Sequence, residues 1–289
     1  MTAPPTTTIA HTSEEEIPTM TTTELLLPQA ADATNSTAGR RTVDQLTALL
    51  RSECIKFTTV RTNKVILALA AAVGLVTSWA SAVLVTDQAL TVADLFVFPT
   101  PVTAGLAAIA GVLLFTAEVQ HGTLAGSLTA HPSRWPVVGA KTFIAMGFGL
   151  LLAVTGMATG FVGALAGGIE LGDTSGVPTT ALWALLLTAG TAVLGLGVGM
   201  TVRHSAGAVS GVLVWWLIVE GLINQFAPAQ VVHYLPFDSG FRTLGVDSFD
   251  SPEVIATALS NPHYALIFWA YVAAALAIGT FLLIRRDAD

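Results

Sequence analysis

The chain is poor in charged residues and has a single cysteine, and both deficits restrict its class. Only 11% of the 289 residues are Asp, Glu, Lys or Arg, whereas about a quarter of a typical soluble domain is charged. This composition argues against a water-soluble globular protein. Because Cys54 is the one cysteine, the chain can form neither an internal disulfide nor a cysteine-based zinc cluster.

Motifs for nucleotide binding, metal binding and hydrolysis are missing as well. No GxxxxGK[ST] sequence occurs, so the chain has no phosphate-binding loop of its own. The six histidines show no paired-ligand spacing, and no GxSxG elbow precedes the His, Ser and Asp residues of 233–263. We therefore expect no catalytic residue, bound metal or bound cofactor in this chain.

Six long apolar stretches dominate the sequence. At a rise of 1.5 Å per residue, about 20 apolar residues cross a hydrocarbon core roughly 30 Å thick. We predict an all-α polytopic membrane protein with six transmembrane helices. The predicted spans are 65–85, 95–117, 138–169, 178–202, 205–226 and 263–284.

The basic residues orient the predicted bundle. With the N-terminus inside, the threading leaves eleven of the 12 Lys and Arg residues in the cytoplasm and only Arg242 outside. This asymmetry follows the positive-inside rule. We expect a multi-pass protein of a bacterial inner (plasma) membrane with both termini cytoplasmic. The net charge of −7 gives no reason to expect a nucleic-acid partner.

Two domains are expected. Residues 1–40 are rich in Thr, Ala and Pro and cannot bury enough apolar surface to fold, so we predict a disordered cytoplasmic tail. Residues 41–289 form the six-span domain. It begins with apolar residues at helical steps, which predict an amphipathic interface helix or, alternatively, a cytoplasmic extension of span one. The interface residues are Leu46, Leu50, Arg51, Lys56 and Phe57.

The loop between spans two and three is the most informative polar segment. Glu118 ends span two, and Gly122-Thr123 turns the chain. A short helix is expected before His131-Pro132, because the residue before proline avoids helical geometry; an ordinary surface turn is the alternative. Lys141 is expected to extend its side chain from span three to the membrane surface.

Glu220 is the one acid inside a predicted span. A charge at that depth is costly, so the side chain must face the bundle interior or a watery cavity, or be protonated. Two interpretations stay open: a hydrogen-bonded packing residue, or a residue that lines or gates a pathway together with Trp216.

Glycines four residues apart occur in three of the predicted spans. Such pairs let helix backbones approach closely and predict a tightly packed bundle. The pairs are Gly156 with Gly160, Gly195 with Gly199, and Gly207 with Gly211.

Three features together resemble the permease subunits of ABC-type exporters, the ABC-2 type class. The first is the basic amphipathic segment 50–57 with Arg61 before span one. The second is the loop with Glu118, Gly122-Thr123 and Arg134, and the third is the segment 234–240 after span five. The resemblance covers about 42–286.

The resemblance implies the membrane subunit of an ATP-driven exporter for an amphiphilic or hydrophobic substrate. Its partners would be a separate ATP-binding subunit that carries ATP and Mg, a second permease, identical or homologous, and the lipid bilayer. Short re-entrant helices would lie between spans five and six. The loop that couples to the ATPase would comprise Glu118, Gln120, His121, Gly122, Thr123 and Arg134.

Two other classes stay open: a non-transporting membrane sensor or scaffold with the same topology, and a membrane-embedded enzyme. The adjacent gene separates them. A neighbouring ATPase gene with a phosphate-binding loop favours the exporter, whereas a kinase gene or an isolated gene favours the others.

Overall fold

The computed structural model describes residues 47, 51–52, 54–55, 58–84, 91–123, 134–169, 174–245 and 252–285. Within this part of the chain, six helices are long and apolar enough to cross a membrane. They confirm the predicted all-α fold with six membrane-spanning helices, and no predicted boundary is wrong by more than four residues. The spans are Arg61–Leu84, Asp94–Gln120, Trp135–Ala166, Val177–Val202, Ser205–Phe226 and Asn261–Arg285.

Span two is broken near its start. It consists of Asp94–Val97 and Thr100–Gln120, which meet at Phe98-Pro99. The side-chain hydroxyls of Thr100 and Thr103 donate to backbone carbonyls within and just before the break. The carbonyl that Pro99 leaves without an N–H partner is that of Leu95, and it accepts the hydroxyl of Ser78 in span one at 3.2 Å.

The spans alternate in direction, so the bundle has two chemically different ends. Spans one, three and five begin, and spans two, four and six finish, at an end that carries most of the described cations. We call this the basic end. The opposite end carries three short helices between spans five and six, as predicted; their re-entry into a leaflet stays a prediction. The short helices are Ala229–Val232, Pro236–Arg242 (the cap helix) and Pro252–Ala256.

Span four forms the centre of the bundle. It packs against spans two, three, five and six, and 67% of its most apolar stretch is buried, compared with 17% for span five. A helix that is apolar all round is typical of such a central position.

Glycines determine how closely span four approaches span two. A Cβ atom on Gly111 would lie 1.9 Å from the Ala192 carbonyl oxygen, and one on Gly195 would lie 2.0 Å from the Ala108 carbonyl oxygen. Any side chain at these two positions would therefore force the helices apart. Close backbone packing matters here because lipid provides no hydrophobic drive for helices to associate.

The three predicted glycine pairs do not share one role. The pairs in spans three and four pack against neighbouring spans, which confirms the close approach expected there. In span five, Gly207 and Gly211 are exposed, and no described atom would lie within 4 Å of a Cβ atom on Gly211. The pair in span five does not pack the bundle of this chain.

The predicted interface helix is described only in part. Residues 51–52, 54–55 and 58–59 are helical and exposed, Arg51 among them. Leu46, Leu50, Lys56 and Phe57 lie outside the described residues, as do the predicted tail and the loop residues 124–133. Contact of this helix with the membrane surface stays a prediction.

The glycine contacts give a matched pair of substitutions. Gly195→Ala should lower the free energy of unfolding by about 1–3 kcal/mol, because the added methyl overpacks the contact with span two. Gly211→Ala should leave it unchanged or raise it by up to about 1 kcal/mol, because the site is open and alanine favours a helix more than glycine does. Thermal unfolding of both variants in detergent checks this; equal melting temperatures would contradict the close contact.

Candidate functional site

A buried ion pair joins spans two and three at the basic end. Lys141 Nζ lies 2.8 Å from Glu118 Oε1, and the side chains are 1% and 12% exposed. The expectation that Lys141 extends to the membrane surface was wrong, because the side chain turns inward to this carboxylate. Since losing one partner of a buried pair costs about 3–5 kcal/mol, the pair fixes how spans two and three sit together.

Gly122-Thr123 forms the C-terminal cap of span two. The Gly122 N–H donates to the Val119 carbonyl at 3.2 Å, and the Thr123 N–H donates to the Glu118 carbonyl at 3.0 Å. This is the Schellman arrangement, with glycine at its left-handed position. Gly122 has φ +68°, which glycine adopts without steric cost. The motif therefore has a local structural role, and its role in coupling stays a prediction.

Gln120 joins the end of span two to the start of span five. Its Oε1 lies 2.8 Å from the hydroxyl of Ser205, which is also 2.9 Å from Thr116 Oγ1. The ring of His121 folds back onto the same helix, with Nδ1 2.7 Å from the Ala117 carbonyl oxygen. Both predicted loop residues thus bond the helix ends and give the turn a fixed shape.

Arg134 connects the start of span three with the last turn of span six. Its guanidinium donates to the carbonyl oxygens of Leu283 and, at 3.2 Å, Ile284. The last carbonyls of a helix have no N–H partner and form the negative end of the helix dipole. A cation placed there is stabilising, and Arg134 holds two spans at one point.

The structure therefore places all six predicted residues at the basic end, and the side chains of Glu118, Gln120 and Arg134 reach spans three, five and six. Sequence reasoning missed Lys141 and Ser205 as partners. Lys141 carried a signal: it is the lone cation of span three, and Glu118 is the lone acid at the end of the preceding antiparallel span. Ser205 carried none, because serine is common at helix starts.

Glu220 forms a second polar centre, toward the opposite end. The side chain is 3% exposed and faces the protein interior. Its carboxylate accepts the backbone N–H groups of Phe237 at 3.0 Å and Asp238 at 2.8 Å, and the indole N–H of Trp215 at 2.9 Å. The two backbone groups belong to the first turn of the cap helix, where N–H groups have no partner within the helix. Glu220 therefore fastens the cap helix to span five.

A π-helical turn at Trp215–Glu220 makes this contact possible. It lies inside span five, between Ser205–Val214 and Gly221–Phe226. Its wider winding brings residues five apart to the same side, so Trp215 and Glu220 meet. Such turns are rare and frequently occur at functional sites.

Trp216 also holds the cap helix in place. Its ring packs on Phe237 and Phe241 with centroid distances of 5.7 and 5.6 Å. The same ring lies over Gly105 of span two, where a Cβ atom would come within 2.5 Å of it. Trp216 thus contacts span two and the cap helix at once; a gating role for Trp216 or Glu220 stays a prediction.

Buried polar side chains also order the segment after span five. Arg242, the cation predicted outside, is 5% exposed and pairs with Asp238 at 2.5 Å. The His233 ring lies 2.8 Å from the Tyr264 hydroxyl and 2.9 Å from that of Thr257. The His233 contacts tie the first and third short helices to each other and to span six, and the Arg242–Asp238 pair lies within the cap helix.

No protein-family model matches the chain, and no curated protein sequence is similar to it. The class that the fold and the sequence define is the general one: a multi-pass membrane protein with six apolar helices among its described residues.

The contacts of Glu220 predict that Glu220→Gln destabilises the cap helix. The amide would turn its NH₂ group toward N–H donors of that helix. One donor then lacks its acceptor, and we expect a loss of about 1–3 kcal/mol in unfolding free energy. Hydrogen exchange at Phe237 and Asp238 should become faster.

Glu253→Gln is the matched control, because Glu253 is exposed in the same segment. It should leave both the melting temperature and the exchange rates at wild-type values. Unchanged exchange in Glu220→Gln would contradict the assigned role of Glu220 in holding the cap helix.

Proposed function

We propose that this chain is the membrane-spanning permease subunit of an ATP-driven ABC exporter and works with a separate ATP-binding subunit. The supporting observation is the set of contacts at the basic end, where the last turn of span two bonds to spans three and five and Arg134, just before span three, bonds to span six. A displacement of these residues is passed to four of the six spans together. Coupling between two sites requires a connection of this kind, whose ends respond to the same change of state.

In this proposal the ATP-binding subunit docks on the surface formed by Gln120, His121, Gly122 and Thr123. These four residues are exposed, and the Schellman cap gives the turn a defined backbone. Glu118 and Arg134 lie behind this surface and transmit the displacement to spans three and six. ATP and Mg bind in the partner subunit.

Contacts at the opposite end would pass the same displacement to the cap helix. Trp216 contacts both span two and the cap helix, so a tilt of spans two and five would move the cap helix. The substrate is amphiphilic or hydrophobic, because apolar side chains dominate the spans, and it passes between this chain and a second permease.

A pair of glycines tests the coupling role. Gly168 ends span three at the opposite end with φ +85° and the same pattern of capping bonds as Gly122. At either site, a Cβ atom would have no described neighbour within 4 Å. Replacing either by alanine should cost about 1–2 kcal/mol, because a left-handed backbone is unfavourable for L-residues. Only Gly122→Ala should uncouple ATP hydrolysis from movement of the segment after span five.

The measurement uses the full chain with Cys54 replaced by serine, purified with the ATPase that copurifies with it. It carries a fluorophore on a cysteine at the exposed position Gln230. Gly122→Ala should keep ATPase activity, but the amplitude of the ATP-driven change in fluorescence should fall about fivefold or more. A factor of about five is the low end of common coupling effects. Gly168→Ala should keep both. Equal signals from the two variants, or no copurifying ATPase, would contradict the proposal.

A further inference from the structure

A groove between spans five and six opens on the surface of the bundle. It has a volume of about 330 Å³. Leu194 and Val198 of span four form its floor, and Pro236 and Phe237 of the cap helix close one end. The walls include Gly211, Val212 and Trp215 of span five and Tyr271, Ala274 and Ile278 of span six.

The walls of this groove face the surroundings of the bundle. Trp215, Tyr271 and Ile278 are 43%, 41% and 54% exposed, and all three lie in helices that cross the membrane. The medium outside such a surface is hydrocarbon. Water does not fill an apolar cavity of this kind, so the groove suits a hydrocarbon chain.

Positive charge lies where the groove runs toward the basic end. Ile278, Phe281 and Arg285 follow one another at steps of three and four, so they form one stripe along span six. The Arg285 guanidinium lies 4.3 Å from the centre of the Phe281 ring. Arg134 brings a second guanidinium to the carbonyls just before Arg285. This end of the groove is therefore complementary to an anionic group.

The groove begins in the leaflet of the basic end and extends past the centre of the bilayer. Ile278 and Tyr271 precede Arg285 by 7 and 14 residues, so they lie roughly 10 and 21 Å from it along the helix. Half of the hydrocarbon core is about 15 Å thick. An acyl chain of a lipid with its headgroup at Arg285 would thus enter the groove at Ile278, and the far end of the groove at Tyr271 lies beyond the centre of the bilayer.

We infer that the groove binds one acyl chain of an anionic bilayer phospholipid whose phosphate lies against Arg134 and Arg285. The lipid braces span five, which has the smallest buried share of the six spans, against span six. Clusters of Lys and Arg next to membrane helices recognise anionic headgroups by the same electrostatics. The inference rests on the membrane fold and stands whether or not the chain is an exporter subunit.

The test is native mass spectrometry of the delipidated full-length chain, titrated with dioleoylphosphatidylglycerol. Ala274→Phe fills the groove and should weaken the tightest lipid binding by about tenfold, whereas Ala273→Phe should change it less than about twofold. Ala273 is the matched control because it is exposed on the same span but does not line the groove. Both variants should melt like the wild type.

The headgroup is tested by comparison with dioleoylphosphatidylcholine. The wild-type chain should prefer the anionic lipid by about fivefold, a preference that Arg285→Gln removes and Arg61→Gln keeps. Arg61 is the control because it lies at the basic end of a different span. Equal lipid binding by Ala274→Phe and Ala273→Phe would contradict the groove as the site of the acyl chain. A wild-type chain that binds both lipids equally would contradict the preference for an anionic headgroup.

Discussion

Hydrocarbon offers no hydrogen-bond partner, and this constraint explains where the polar side chains of the bundle lie. Lys141 and Glu118 neutralise each other between two spans. Glu220 satisfies the first N–H groups of the cap helix, and Arg134 satisfies the last carbonyls of span six. Each costly polar group is thus used to join two elements, so the polar contacts define how the spans connect.

The apolar packing supplies the rest of the stability. Span four is surrounded, and glycine contacts bring its backbone against span two. Span five is held differently. Ser205 of span five contacts Gln120 of span two at the basic end, and Trp216 contacts span two further along. The π-helical turn that contains Trp216 also holds the cap helix. With little buried surface and an irregular winding, span five is the element best suited to move against the central helices.

The sequence predicted the spans well because their length and hydropathy follow directly from the thickness of a bilayer. It also identified Glu220 as a buried acid. It could not predict the partners of that acid: Phe237 and Asp238 lie 17 and 18 residues further along the chain, and Trp215 meets it only through the π-helical turn, which has no sequence signature. The inward direction of the Lys141 side chain was missed for a related reason. Whether a lysine points outward or inward depends on how its helix is rotated about its axis, and packing contacts such as those of Gly149 set that rotation.

The central claim is that the basic end faces the cytoplasm, where an ATP-binding subunit can reach it. Cysteine accessibility in intact cells tests it directly, in a chain whose Cys54, the one native cysteine, is replaced by serine. Thr123 and Gln230 are exposed at the two ends. In cells that express this chain without the ATP-binding subunit, which would cover Thr123, a membrane-impermeant maleimide should label Gln230→Cys in intact cells and Thr123→Cys only after permeabilisation. Labelling of Thr123→Cys in intact cells, with Gln230→Cys protected, would contradict the claim.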